Sequence, residues 1–218
     1  NPKHREVICD SAEPKSIAEM REYGVAAIGA RKGPDSVYYG IKWMQDLEEI
    51  IIDPKMSFGT GHHATTALML ETILDMKPDF SGKKVLDMGC GTGILSIMAA
   101  QAGAQSVTGI DIDEWAYNNA MENIRANGLT NITIKIGDAR LLEAEAPFDV
   151  ILANINRNIL LEDMPHYVAR LLPQGLLIMS GFYLQDLPLI QERAAQSGLT
   201  FMTYREDKNW VAASFYKN

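Results

Sequence analysis

The chain has 218 residues, a formal net charge of −8 and 47% hydrophobic content, enough for one large or two small domains of ordinary globular composition. No apolar run approaches the roughly 18 residues that cross a bilayer, and no basic segment with an apolar stretch opens the chain as a secretory leader would, so a cytoplasmic protein with no membrane partner is expected. The acidic balance disfavours strong nucleic-acid binding, which relies on Lys and Arg against phosphates, and two cysteines, Cys9 and Cys90, are too few for a disulfide framework and fit a reducing compartment.

Residues 5–53 read as strand, helix, strand, helix, strand, in the segments REVICD, SAEPKSIAEMREYG, VAAIGARK, PDSVYYGIKWMQDLEE and IIID. Ser11 is a candidate cap for the first helix, Pro14 sits in its first turn and Gly24 follows its end. The alternation implies parallel strands, although three strands make a poor domain on their own. ICDSAEPKSI (Ile8–Ile17), the ARKG turn at Ala30–Gly33 and the run from Ser36 to Ile41 resemble part of the nuclease domain of phage terminase large subunits. That resemblance implies a ribonuclease-H-like fold in which Asp10 matches one of several metal-holding carboxylates. The other carboxylates of that family lie outside the matched segment, and one acid does not make a two-metal site. Asp10 reads as a strand-end acid and a helix-capping group, and no metal site is expected.

From Pro54 the pattern changes. Lys84 to Met88 reads as a strand, Ile94 to Gly103 as a helix and Ser106 to Asp113 as a second strand, with the loop of VLDMGCGTG (Val85–Gly93) between the first two. Gly89, Gly91 and Gly93 alternate there, and their missing Cβ atoms allow a tight turn and the approach of a ligand to bare backbone. Asp111 lies 22 residues beyond Gly89, the length of one helix and one strand, and its carboxylate suits the two hydroxyls of a ribose. Two cofactors compete for such a site, a nicotinamide dinucleotide and S-adenosyl-L-methionine. The dinucleotide requires G-x-G-x-x-G, whereas this loop is G-x-G-x-G. Asp87, two residues before the first glycine, would repel a pyrophosphate but suits a cationic amino acid moiety. S-adenosyl-L-methionine is the expected cofactor.

The remaining segments continue the alternation. EWAYNNAMENIRANG (Glu114–Gly128) is a helix, NITIKIGD a strand, FDVILANI (Phe148–Ile155) an almost wholly apolar buried strand and RNILLEDMPHYVARLL a helix. GLLIMSG is the fifth strand, LQDLPLIQERAAQSG a helix, and LTFMTYRED and NWVAASFYKN the last two strands, joined by a short turn. The predicted fold is α/β, a doubly wound Rossmann-like sheet of the class I methyltransferase type with a C-terminal antiparallel hairpin, preceded by a small βαβαβ segment. Ligands of such sheets bind outside the carboxyl ends of the strands.

PKMSFGTGHHATT, the glycine loop, GIDID and ILANI together are similar to the catalytic domain of the methyltransferases that trimethylate protein eleven of the large ribosomal subunit, over residues 54–218. The resemblance implies protein N-methylation of lysine and α-amines, with a large-subunit ribosomal protein as partner. It also implies a cofactor site at Thr66, Gly89, Asp111 and Asn154, with Asp138 of the GDAR turn either against the adenine amino group or simply a turn acid. Thr66 is expected to cap a helix starting near Thr65 and to offer its hydroxyl to the methionine end of the cofactor. Asn154 is expected nearest the chemistry. Methyl transfer needs a neutral amine lone pair, and neutralising a free lysine at pH 7 costs about 4 to 5 kcal/mol; a side-chain carbonyl at Asn154 would accept from that amine and orient it. Capping of the next helix is the other reading of Asn154. Many amine methyltransferases carry Asn or Asp followed by Pro-Pro here, whereas Asn-Ile-Asn fits the ribosomal protein family.

His62 and His63 lack the spacing of a zinc site and belong to the loop that the resemblance closes over the cofactor. Met56, Phe58 and Trp115 are expected to wall an apolar pocket or core. The family's N-terminal recognition domain has no counterpart in residues 1–53, so the chain reads as two fragments, 1–53 and 54–218, joined near Ile50–Pro54. The alternatives to a ribosomal protein methyltransferase are a DNA-packaging terminase fragment and a methyltransferase acting on another amine.

Overall fold

A computed structural model describes residues 7–9, 27–29, 39–41, 50–53 and 63–218. In the first part, β1 (Val7–Cys9) pairs in parallel with β2 (Ala27–Gly29), and β3 (Tyr39–Ile41) pairs antiparallel with β4 (Ile50–Ile52). β3 falls inside the helix predicted over residues 34–49 and reverses the parallel pairing expected there. Tyr39 and Ile41 are an aromatic and a β-branched residue of the kind that favours a pleated surface, and β4 gives them a partner. Asp10 and the helix predicted over residues 11–24 lie outside the described residues.

The body that follows contains α1 (Ala64–Asp75), α2 (Lys77–Phe80), β5 (Lys84–Met88), α3 (Ile94–Gln101), β6 (Ser106–Asp111), α4 (Glu114–Ala126), β7 (Ile132–Ile136), β8 (Phe148–Asn154), α5 (Arg157–Arg170), β9 (Leu171–Tyr183), α6 (Leu187–Gln196), β10 (Leu199–Asp207) and β11 (Trp210–Lys217). Seven strands form one sheet in the order β10-β11-β9-β8-β5-β6-β7. β5, β6, β7, β8 and β9 run parallel, while β11 lies between β9 and β10 and is antiparallel to both. The expected Rossmann-like sheet with its terminal hairpin is therefore the observed one. Lys208 and Asn209, at φ 49° and 70°, make the hairpin turn with the left-handed pair that matches strand twist. β9 starts four residues before the predicted strand, and the helix predicted from Leu184 starts at Leu187 after a single 3-10 turn.

Each face of the sheet carries its own core. Leu68, Met69 and Ile73 of α1, Ile94, Ile97 and Met98 of α3 and Ile124 of α4 pack on one face, and Leu160, Met164 and Tyr167 of α5 with Leu187 and Ile190 of α6 pack on the other. No helix among the described residues is long and apolar enough to cross a membrane.

β4 joins this body through a ladder of asparagines. Asn119, Asn123 and Asn127 recur every four residues on one face of α4. Asn127 accepts from the Ile51 N–H at 2.9 Å and donates to the Ile51 carbonyl at 2.7 Å. Asn123 accepts from the Asp53 N–H at 2.9 Å, and Asn119 donates to the Asp53 carbonyl at 2.6 Å. Side-chain amides thus treat β4 as a neighbouring strand would, while Ile50 and Ile52 point into the core of the α1 face. Asn123 is buried and also donates to the Thr92 carbonyl at 2.9 Å, tying β4 to the glycine loop. Replacing Asn123 with Ala is predicted to lower unfolding free energy in urea by about 1 to 3 kcal/mol, as loss of buried partners does, and the more exposed Asn127→Ala by about 1 kcal/mol or less. Equal small losses would show that the ladder carries no weight.

Candidate active site

The loop after β5 is folded by its own backbone. Gly89 and Cys90 both donate to the Ile110 carbonyl, at 2.8 and 3.2 Å, and Gly93 donates back to Cys90. Gly89, Gly91 and Gly93 have φ of 68°, 54° and 78°, the left-handed region that side chains disfavour, and Gly93 forms the N-cap of α3. Asp111 closes the turn, its two carboxylate oxygens accepting from the N–H groups of Gly91 at 2.9 Å and Asp113 at 3.0 Å. Each oxygen retains a further lone pair for a ligand hydroxyl. One expectation changes. A Cβ on Gly89 would overlap the Ile155 side chain, so the bare face of this glycine receives Ile155 from the loop after β8 rather than standing open to a ligand.

Asp87 is wholly buried. Ser96 donates to its Oδ2 at 2.6 Å, and its Oδ1 has no hydrogen-bond partner among the described residues. Burial pushes its pKa up to about 6, the Ser96 bonds pull it down and the nearby Asp111 adds a smaller upward push. An orphaned, buried carboxylate oxygen at a strand end suits a donor such as the ammonium of an amino acid. The donor set thus fits the cofactor expected from the sequence.

Thr66 and Asn154, 88 residues apart, meet at the same end of the sheet, where Asn154 Nδ2 donates to Thr66 Oγ1 at 3.3 Å. This commits the Asn154 amide nitrogen and leaves its carbonyl as the accepting group. Thr66 lies in the first turn of α1 and does not cap it. The cap is His63, whose Nδ1 accepts from the Thr65 N–H and contacts the Thr65 hydroxyl at 2.8 Å. Asn154 does not cap α5 either, because Asn156, two residues on, accepts from the Ile159 N–H at 3.2 Å. Asn154 is thereby free of a helix-capping duty.

Asp138 stands at the end of β7 as a turn acid. It caps the 3-10 turn Ala139–Ala144 and forms a bidentate pair with Arg140, which holds its carboxyl down at about 2. Trp115 is 72% exposed and so walls no core, and the neighbouring Ile112 is 74% exposed beside Asp111. Met56, Phe58 and His62 lie outside the described residues.

Sequence reasoning missed Gly181 and Ile155. At Gly181, φ is 95° and a Cβ would overlap the Ile155 carbonyl. Arg157 then pairs with Asp186 at 2.7 Å, and Asp186 accepts from the Tyr183 N–H, fastening the loop after β8 to the loop after β9. A glycine inside a strand was the available signal.

A family profile described as ribosomal protein L11 methyltransferase (PrmA) matches residues 40–218. The chain is 53% identical to the ribosomal protein L11 methyltransferase of Phocaeicola vulgatus and 52% identical to that of Bacteroides fragilis, in each case over 167 residues that make up 77% of this chain and 59% of the relative. It thus spans about three fifths of the length of these curated relatives. A crystal structure of the ribosomal protein L11 methylase of Lactobacillus delbrueckii subsp. bulgaricus superposes with a TM-score of 0.72 at 30% identity, covering 82% of this chain and 92% of that one. The chain belongs to the ribosomal protein L11 methyltransferase family. The terminase resemblance and the fusion it implied draw no support from these comparisons. The family match begins upstream of the junction predicted at Ile50–Pro54, and β4 is bonded into the main body by α4.

The raised pKa of Asp87 has a sign that can be measured. Below about pH 4 the carboxyl is neutral folded and unfolded; from about pH 4 to 6 the unfolded chain ionises first, so its stabilising contribution is lost as pH rises. Relative to Asp87→Asn, the ligand-free protein is predicted to lose up to about 3 kcal/mol of unfolding free energy between pH 4 and 7. Parallel pH profiles for the two proteins would contradict this.

Proposed function

We propose, with that family membership as premise, that the chain is an S-adenosyl-L-methionine-dependent protein N-methyltransferase acting in the cytoplasm on lysine or α-amine groups of a large-subunit ribosomal protein. The cofactor supplies a methyl group made electrophilic by its sulfonium sulfur. Asp87 and Thr66 receive the amino acid end, with the orphaned Oδ1 of Asp87 accepting from the ammonium. Gly89, Gly91 and Gly93 shape the cradle, Asp111 takes the ribose hydroxyls on its remaining lone pairs and Asp138 lies on the adenine side. The Asn154 carbonyl accepts from the incoming amine and aims its lone pair, which removes orientational freedom from the reacting pair.

The observation that carries this reading is the meeting of Thr66 with Asn154. This contact between residues 88 positions apart engages the amide nitrogen with the protein, which supports the carbonyl as the group that meets the acceptor. It lies at the topological switch between β5 and β8, where doubly wound sheets bind their ligands. No observation favours the terminase alternative; a different amine acceptor would leave every one of these roles unchanged.

Calorimetry with S-adenosylhomocysteine tests the cofactor site, and no detectable binding by the unaltered chain would end the proposal. Asp111→Ala is expected to weaken binding by roughly 1.5 to 3 kcal/mol, the scale of hydrogen bonds to a charged group. Asn154→Ala is expected to keep affinity within a few fold while lowering methyl transfer to an amine acceptor by about tenfold or more, one hydrogen bond's worth of barrier. Unchanged affinity in Asp111→Ala would remove that acid from the ribose.

A further inference from the structure

Three aromatic rings stand on the side of the switch point opposite Asp111. Trp210 opens β11 and pairs in register with Tyr183 at the end of β9, their ring centroids 4.0 Å apart and tilted by 32°. His63 meets Trp210 edge to face at 4.8 Å. The same His63 caps the helix whose first turn presents Thr66 to Asn154.

The alternation of side chains puts this group on the face of the sheet that Asn154 uses. Leu152, Ile178 and Ala212 point into the core beneath α1, and Trp210 packs on that core. Asn154 pairs with Ser180, and Ser180 with Ala212, two residues from Trp210. Two strand spacings separate Asn154 from β11, about 10 Å. Tyr183 is 39% exposed, so the stack reaches the surface. The sheet's C-terminal edge is thus divided. Asp111 is on β6 to one side of β5, Asn154 is on β8 to the other, and the aromatic rings lie beyond Asn154.

We propose that His63, Trp210 and Tyr183 form the acceptor-side wall of the site and bind the alkylammonium side chain before it loses a proton to solvent and presents its neutral amine to Asn154. The inference rests on the methyltransferase reading and deepens it. Ring faces carry negative charge density and attract ammonium ions, most strongly for indole, and their apolar surface also covers an aliphatic stem. An acidic protein of net charge −8 complements a basic acceptor segment. Methyl groups enlarge the apolar shell of the cation without removing its charge, so the wall holds a methylated ammonium at least as well as a bare one.

The test uses Nα-acetyl-trimethyllysine amide and its neutral isostere, with carbon in place of the quaternary nitrogen, titrated into the chain saturated with S-adenosylhomocysteine. The readout is the indole N–H resonance of Trp210 in a proton–nitrogen correlation spectrum, identified among the three tryptophans by its absence in Trp210→Leu. The expected result is a saturable shift of that resonance, with the cation bound about three- to thirty-fold tighter than the isostere, the range that a cation–π contact supplies. Tyr183→Leu, at a more exposed position, should reduce the preference and Trp210→Phe should retain part of it, both with cofactor affinity unchanged. No shift at Trp210, or equal affinity for the neutral isostere, overturns the inference and leaves the cofactor reading standing. Failure of the unaltered chain to bind S-adenosylhomocysteine overturns both.

Discussion

Ile155 is the residue on which the site's geometry depends. Its side chain fills the place of a Cβ at Gly89, and its carbonyl fills the place of a Cβ at Gly181, so one residue is gripped between the ends of β5 and β9. Both glycines have positive φ, at 68° and 95°, and no other residue fits either place without moving Ile155. Asn154 precedes this pinned residue and Asn156 follows it as the cap of α5, so the orientation of the Asn154 amide is set from both sides. The Arg157–Asp186 pair adds a tie from the start of α5 to the turn after β9, with Asp186 buried. An in-line displacement tolerates little error in the angle of attack.

The glycine loop is held by a different device. Gly89 and Cys90 donate to Ile110, Gly91 to Asp111 and Gly93 to Cys90, and the loop's carbonyl at Thr92 receives Asn123, which also holds the Asp53 N–H. The chain before α1 is thereby bonded, through one buried amide, to the loop that shapes the ligand cradle. This network explains why β4 behaves as part of the main body although it lies far from the parallel strands in sequence.

Much of this was legible in the sequence where a local pattern and a tertiary requirement coincide. The strand, glycine turn and helix around Gly89–Gly93 announce themselves because the backbone needs positive φ where the glycines stand, and β8 because a strand covered on both faces must be apolar throughout. Thr66 and Asn154 were legible only by resemblance, since nothing local relates residues 88 positions apart. What failed was decided at a distance. β3 lies in a stretch whose spacing suits a helix, yet Tyr39 and Ile41 find a partner in β4. The cap expected at Thr66 falls three residues earlier, on the imidazole of His63, while Asn156 takes the capping role that was only the alternative reading of Asn154. The Asn119, Asn123 and Asn127 ladder was visible as a period of four, but polar residues at that spacing ordinarily mark a solvated face, and only the approach of β4 gives them a partner.

The two carboxylates at the sheet edge show how one kind of group serves two ends. Asp111 is half-buried, bonded to two backbone N–H groups and still able to accept more, so it holds the loop while keeping lone pairs for a further donor. Asp87 is wholly buried with one oxygen satisfied and one not, and its raised pKa reports the cost. A cation brought to Oδ1 offsets it, because an opposite charge in contact restores the ionised form that burial penalises. In the proposed site an ammonium at Oδ1 would relieve that penalty, and a neutral analogue of the same shape would leave it in place.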